Sequence, residues 1–270
     1  MTSLPEARTR VAAFFDVDGT IIDGPSLEMR FWGMLRSRHA IPARNYFLWL
    51  GHAMQLAPRG FAAIAHANKT YLRHVPVDSG TPFPDRGSAD SVTPAFRRHS
   101  PRAPLSALFP PAMERIAWHA AQEHAVVLVT GTLAPLAREV ALALVLRLAV
   151  RGITTSIGVC ATRIEEADGR WTGRIMGDAM FAEAKMRAVQ HLATKAGFDL
   201  ARSYAYGDTA SDRWLLGAVG QPVAVNPSRE LQRIARMLDW PMLWWKQEIR
   251  EDRGATGYTA IGSARTENLG

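Results

Sequence analysis

The chain has 270 residues, 47% of them hydrophobic and 21% charged. That is enough to bury a core of one to two domains, and it excludes a globally disordered chain. The net charge of +7 suits an anionic substrate or surface. The basic residues never form a run of five, and no recognition-helix or zinc-finger pattern occurs, so nucleic acid is not an expected partner.

The single cysteine, Cys160, excludes an intrachain disulfide framework and fits a reducing cytoplasm. It closes the apolar stretch 153–159 and reads as a small buried hydrophobe. Residues 1–10 are polar and lack the apolar stretch of a secretory leader. The longest apolar candidate, 140–150, is broken by Arg147 and too short to span a bilayer. These features point to the cytoplasm.

In chain order, residues 11–15 form a short apolar run without polar alternation, as in a central strand covered on both faces. It runs into Asp16-Val17-Asp18-Gly19-Thr20. From Pro25 to Arg73 the pattern is helical, with Leu27, Phe31, Leu35, Phe47, Leu48, Leu50, Met54 and Leu56 at three-to-four spacing. Pro42 and Pro58 divide it into several helices, which we expect to pack as a subdomain. Residues 76–111 hold half of the chain's 16 prolines and read as a mobile connection, with a substrate-gating lid as the alternative.

Helix and strand then alternate. A helix over 112–123 leads to a strand over 125–129, Thr130-Gly131-Thr132, and a long helix to about Arg151. A strand over 153–159 follows. Ala167-Asp168-Gly169 is the turn of a hairpin. A helix from about Phe181 stops at Gly197, and a strand over 203–206 ends at Gly207-Asp208. A helix opens near Ser211, and 222–225 is a last strand. Trp240, Leu243, Trp244 and Trp245 read as core packing, with a membrane or partner patch as the alternative. This alternation implies a parallel sheet with helices on both faces, with the site beyond the carboxyl ends of its strands.

Four features gather at that edge: Asp16 with Asp18, Thr130 with Gly131, Lys185, and Asp208 with Asp212. Mg²⁺ takes oxygen ligands, which Asp16, Asp208 and the Asp18 backbone carbonyl supply. Asp16 and Asp18 point the same way, so one can attack phosphorus while the other handles a proton. Gly19 permits a tight turn. Thr130 and Gly131, read as a helix N-terminus, offer a hydroxyl and an unobstructed N–H to a phosphate. Lys185 neutralises charge there.

The segments Asp16-Val17-Asp18-Gly19-Thr20, Thr130-Gly131, Lys185 and 207–212 resemble the four motifs of the haloacid dehalogenase (HAD) superfamily. The downstream run, including Tyr206-Gly207-Asp208 and Val223-Ala224-Val225-Asn226-Pro227, is most similar to its phosphoserine-phosphatase-like IB subfamily. The resemblance implies an α/β Rossmann-like core with a helical C1-type cap inserted after the first strand. It places the core at 1–24 and 105–246 and the cap at 25–104, with a mobile Pro-rich segment at 76–104. The tail, 247–270, reads as flexible. It further implies Mg²⁺-dependent hydrolysis of a small phosphorylated metabolite through an aspartyl-phosphate. Asp16 is then the nucleophile and Asp18 the general acid/base. Asp16, Asp18 and Asp208 hold the metal, with Asp212 orienting its waters. Thr130, Gly131 and Lys185 hold the phosphate. The carboxylate of Asp18 disfavours dehalogenation. Phosphoserine phosphatases carry an acidic residue just downstream of the first motif; the ungapped match here is Pro25, with Glu28 nearby. The alternatives are a phosphotransferase, a lysophospholipid phosphatase at a membrane surface, and a non-catalytic binding module.

Overall fold

The run Ala12-Ala13-Phe14-Phe15 has no polar side chain to turn toward water, and it lies at the centre of a sheet. The computed structural model describes residues 10–60, 64, 66–77 and 107–246. The expected mobile start, Pro-rich segment and flexible tail therefore lie outside the described residues, apart from 10, 76–77 and 107–111. The strands are β1 (Ala12–Phe15), β2 (Ala125–Leu133), β3 (Ile157–Thr162), β4 (Ile164–Ala167), β5 (Arg170–Ile175), β6 (Tyr204–Gly207), β7 (Gln221–Val225) and β8 (Met242–Leu243). Six of them form one sheet in the order β3-β2-β1-β6-β7-β8, with every neighbouring pair parallel. β4 and β5 form a separate antiparallel hairpin.

Side chains alternate across a strand, so each strand feeds two cores. Ala13, Phe15, Leu128, Tyr206 and Val225 face one side. There they meet helices α3 (Pro110–Ala121) and α4 (Ala134–Val150) through Ile116, Val140 and Leu144. Ala12, Phe14, Val127, Ala205 and Ala224 face the other side. Helices α5 (Glu183–Ala196), α6 (Arg213–Leu216) and α7 (Arg229–Met237) cover them through Val189, Leu215 and Leu231. Burying each Phe of β1 contributes about 1.5–3 kcal/mol. Phe15 stacks on Tyr206, whose hydroxyl bonds to His119 Nε2 at 2.8 Å. Burial, and then His124 and Arg115, push the His119 pKa down to about 3, so the ring is neutral.

Between β1 and α3 the chain builds a helical insertion: α1 (Leu27–Ser37), α2 (Ala43–Leu56) and single 3-10 turns at Ala57–Arg59 and Thr70–Leu72. Ser26 caps α1 by accepting from Met29 N. The buried face of α1 is Leu27, Phe31 and Leu35, and Phe31 meets Trp171 of β5 edge to face. Asn45 of α2 donates to the carbonyls of Tyr71 and Arg73. His74 and Val77 donate to carbonyls of the β4-β5 hairpin region, at Trp171 and Gly169, fastening the insertion to it.

Three expectations need correction. The third sheet strand starts at Ile157 rather than Ile153, because Ile153 N still bonds to Leu148 O at the exit of α4. Cys160 thus lies inside β3, half-buried rather than buried. Phe47, Leu48, Leu50 and Met54 do not pack inward; they are exposed on α2, whose buried positions are Asn45, Ala53 and Leu56. The tryptophan cluster does belong to the core: Trp245 is buried near Tyr206, and Trp240 packs under the second core. No helix among the described residues is long and apolar enough to cross a membrane.

Candidate active site

Where β1 ends, Asp16 N donates to Tyr206 O at 2.9 Å and holds the first loop against the end of β6. Val17 O then accepts from both Ile21 N and Ile22 N, closing a tight turn. Gly19 sits at its bend with φ +81°, and a Cβ there would lie 2.1 Å from Asp208 Oδ2. Only glycine fits both the conformation and the space.

The turn leaves Asp16 buried beside Lys185, the third residue of α5. Lys185 Nζ donates to Asp16 Oδ1 at 2.6 Å and to Asp212 Oδ1 at 2.7 Å. The other Asp212 oxygen accepts from Thr209 N and Thr209 Oγ1 in a capping box. Carboxylate oxygens of Asp16, Asp208 and Asp212 all lie within 4.8 Å of one another. Asp18 turns toward the insertion, where its Oδ1 accepts from Leu27 N, the first residue of α1, at 2.8 Å.

Two buried carboxylates, Asp16 and Asp212, share one ammonium, and half-buried Asp208 stands beside them. Burial pushes the Asp16 pKa up to about 7; Lys185 pulls it down, but Asp212 and Asp18 add to the rise. Burial, then Asp16 and Asp212, push Asp208 up to about 8. Burial also raises Asp18. Asp212 is lowered, because Lys185 and the Thr209 hydrogen bonds outweigh its desolvation. Lys185 is raised, its desolvation outweighed by Asp16 and Asp212. The surplus negative charge and the all-oxygen donor set fit a hard divalent cation such as Mg²⁺.

Thr130 and Gly131 reach the same edge, but not from a helix N-terminus as the sequence suggests. β2 runs on to Leu133, and α4 starts only at Ala134. A register shift between Thr130 and Leu133 turns the strand end. Thr130 Oγ1 accepts from Thr132 N, and Thr162 Oγ1 donates to Gly131 O. All seven residues expected at the site thus stand on the strand end, loops and helix at the carboxyl edge of the sheet.

Sequence reasoning missed three groups. A Cβ on Gly131 would touch His66 Nδ1 at 3.1 Å, so His66 of the insertion stands beside this loop. His66 stacks on Phe181 at 4.0 Å, and burial, Lys69 and Lys185 lower its pKa to about 4. Asn226, at φ 44°, donates to Gly19 O and accepts from Lys246 N. Asparagine tolerates that left-handed backbone, and this was the signal available. Lys69 is fully buried, with its ammonium 2.6 Å from both oxygens of Glu28; Tyr71 OH donates to Glu28 Oε1 at 2.9 Å. A lysine inside a helical stretch gave no such signal.

A parallel sheet with carboxylates at its carboxyl edge and a helical insertion after the first strand defines a class. The haloacid dehalogenase-like hydrolase model matches residues 13–216, and the chain belongs to that family. Phosphoserine phosphatase SerB1 of Mycobacterium tuberculosis (strain ATCC 25618 / H37Rv) is 29% identical over 276 residues, covering 98% of this chain and 79% of that one. A crystal structure of a protein of unknown function from Bordetella pertussis Tohama I shares 26% identity at a TM-score of 0.60, covering 87% and 98%. A phosphoserine phosphatase solved as a phospho-aspartyl intermediate analogue matches in fold, at 15% identity and TM-score 0.53, covering 92% and 99%. The chain is a phosphatase-type enzyme of this family, phosphoserine-phosphatase-like in its fold and sequence.

Proposed function

We propose that the chain hydrolyses a small phosphomonoester through a phospho-Asp16 intermediate, with residues 25–104 serving as a cap over a core formed by 1–24 and 105–246. The observation that carries this reading is the cluster of Asp16, Asp208 and Asp212 around the single ammonium of Lys185. Asp16, Asp208 and the Asp18 carbonyl would hold Mg²⁺, which when bound supplies charge neutralisation for the phosphoryl oxygens. Lys185 holds Asp16 Oδ1 and orients the carboxylate for attack. An Asp16 oxygen forms a bond to phosphorus as the ester P–O bond breaks, and Asp18 gives its proton to the leaving alcohol. Burial raises the Asp18 pKa, in the direction an acid needs. Asp18 then takes a proton from water as that water attacks phosphorus, releasing phosphate and restoring Asp16. Thr130, Gly131 and Lys185 bind the phosphoryl oxygens, and Asp212 holds Lys185 and orients metal waters. The free thiol of Cys160 agrees with a cytoplasmic setting.

The alcohol half of the substrate carries no ammonium. Glu28 follows Leu27, whose N–H donates to Asp18 Oδ1, so the first turn of α1 brings it to the leaving-group side. The Glu28 carboxylate already holds Lys69 and Tyr71. A substrate ammonium would compete with a tethered one. Although a relative is named phosphoserine phosphatase, phosphoserine is a poor substrate on this reading. The test is phosphate release from a panel of esters, with Mg²⁺ and with EDTA, for the wild type and Asp16→Asn. The panel pairs O-phosphoserine with 3-phosphonooxypropanoate, which lacks only the ammonium. Mg²⁺-dependent release lost in Asp16→Asn supports the chemistry, and full activity in Asp16→Asn sinks it. Preference for phosphoserine within the pair sinks the substrate assignment alone.

A further inference from the structure

Helix α2 turns apolar side chains outward. At 3.6 residues per turn, Asn45, Ala53 and Leu56 point inward, and Tyr46, Phe47, Leu50 and Met54 share the opposite arc. Phe47 is 78% exposed, Met54 71% and Leu50 55%. On α1, Met29 is exposed as well, and the Trp32 ring carries the Arg36 guanidinium 5.4 Å from its centroid. The α2 stripe, at i, i+3 and i+7, is contiguous along one helix face, and exposed apolar surface of that kind marks a contact site.

Charge selects the partner. From Leu27 to Val77 the sequence holds six arginines and Lys69 against a single acid, Glu28, which Lys69 already engages. This stretch therefore carries a surplus of six positive charges, most of the chain's net +7. A second copy of this face would bring like charges together, whereas an anionic lipid surface attracts basic residues and accepts aromatic and aliphatic side chains. We propose that α2, with the exposed side of α1, docks on an anionic lipid bilayer. The helix lies in the plane of the interface, with Phe47, Leu50 and Met54 entering the acyl boundary. This holds the phosphatase at a membrane surface, and it does not depend on the identity of the ester.

The test is flotation of the full chain with vesicles of phosphatidylglycerol and phosphatidylcholine in equal parts, against phosphatidylcholine alone, at low and high salt. The expected result is binding to the anionic vesicles only, weakened by salt. The variant Phe47→Ser/Leu50→Ser/Met54→Ser should lose on the order of tenfold or more in partitioning. Leu146→Ser, at an exposed apolar position on α4, should keep it. Both variants should release phosphate from a soluble ester at the wild-type rate, which establishes that they fold. The proposal is overturned if the wild type ignores anionic vesicles at low salt, or binds both vesicles equally. Equal loss with Leu146→Ser, or a dimer in sedimentation that the triple variant abolishes, also overturns it.

Discussion

Two buried lysines sit in carboxylate company, and their surroundings differ in one respect. Lys185, at the sheet edge, faces Asp16 and Asp212 with Asp208 beside them. Lys69, in the insertion, faces Glu28 among the described residues, and Tyr71 donates to the same carboxylate. In the second group the described ammonium and carboxylate balance one to one. The first holds more carboxylates than cations, and its surplus raises Asp16 and Asp208. A fold tolerates such a surplus only where something else supplies positive charge, so the imbalance marks the place of chemistry.

The largest expected effect breaks the unbalanced group. Asp16→Asn should lower phosphate release by about 10⁴-fold or more, as loss of a nucleophile does. Its Tm should stay near wild type, because Lys185 keeps Asp212; a collapse of Tm would mean that the cluster is structural like the other one. The balanced group should respond the opposite way. Lys69→Met should cost about 3–5 kcal/mol in denaturant unfolding by stranding Glu28, and the double variant Glu28→Gln/Lys69→Met should recover most of that.

Metal addition separates the two groups further. Mg²⁺ at a hundred times its Kd should raise stability by about 2.7 kcal/mol in thermal melts, and Asp208→Asn should remove most of the gain. A wild-type Tm indifferent to Mg²⁺ would undo the reading of the surplus charge.

Near neutral pH the smallest effect, which grows only as pH falls, concerns a buried group outside both clusters. His119 stays neutral in the fold, with its pKa lowered to about 3, while the unfolded chain protonates it near pH 6.5. Below 6.5 the unfolded state binds the extra proton. Stability is therefore full above that pH and falls by up to about 1.4 kcal/mol per pH unit down toward 3. His119→Phe should flatten that slope in melts recorded across the range; an unchanged slope would assign the acid sensitivity to other groups.

Much of this was legible in the residues themselves. A four-residue apolar run without alternation suits a strand covered on both faces, and β1 is one. Gly197 stops α5 in the left-handed conformation, as its position after a helical stretch implied. The placement of Asp16, Asp18, Thr130, Gly131, Lys185, Asp208 and Asp212 at one edge follows from strand ends and one helix start, because parallel strands deliver their carboxyl ends to that edge. The period of α2 was read correctly and its direction was not. A stripe of Phe47, Leu50 and Met54 looks the same in sequence whether it faces a core or water, and only the packing of Asn45 against Tyr71 and Arg73 decided it. Thr130-Gly131 sits in a strand end because the backbone of β2 continues its pairing to Leu133, a matter of the neighbouring strand. His66 beside Gly131 and Lys69 on Glu28 are long-range pairings. Local sequence determines an element's type through propensity and period; which distant side chain it meets is set only when the whole chain closes.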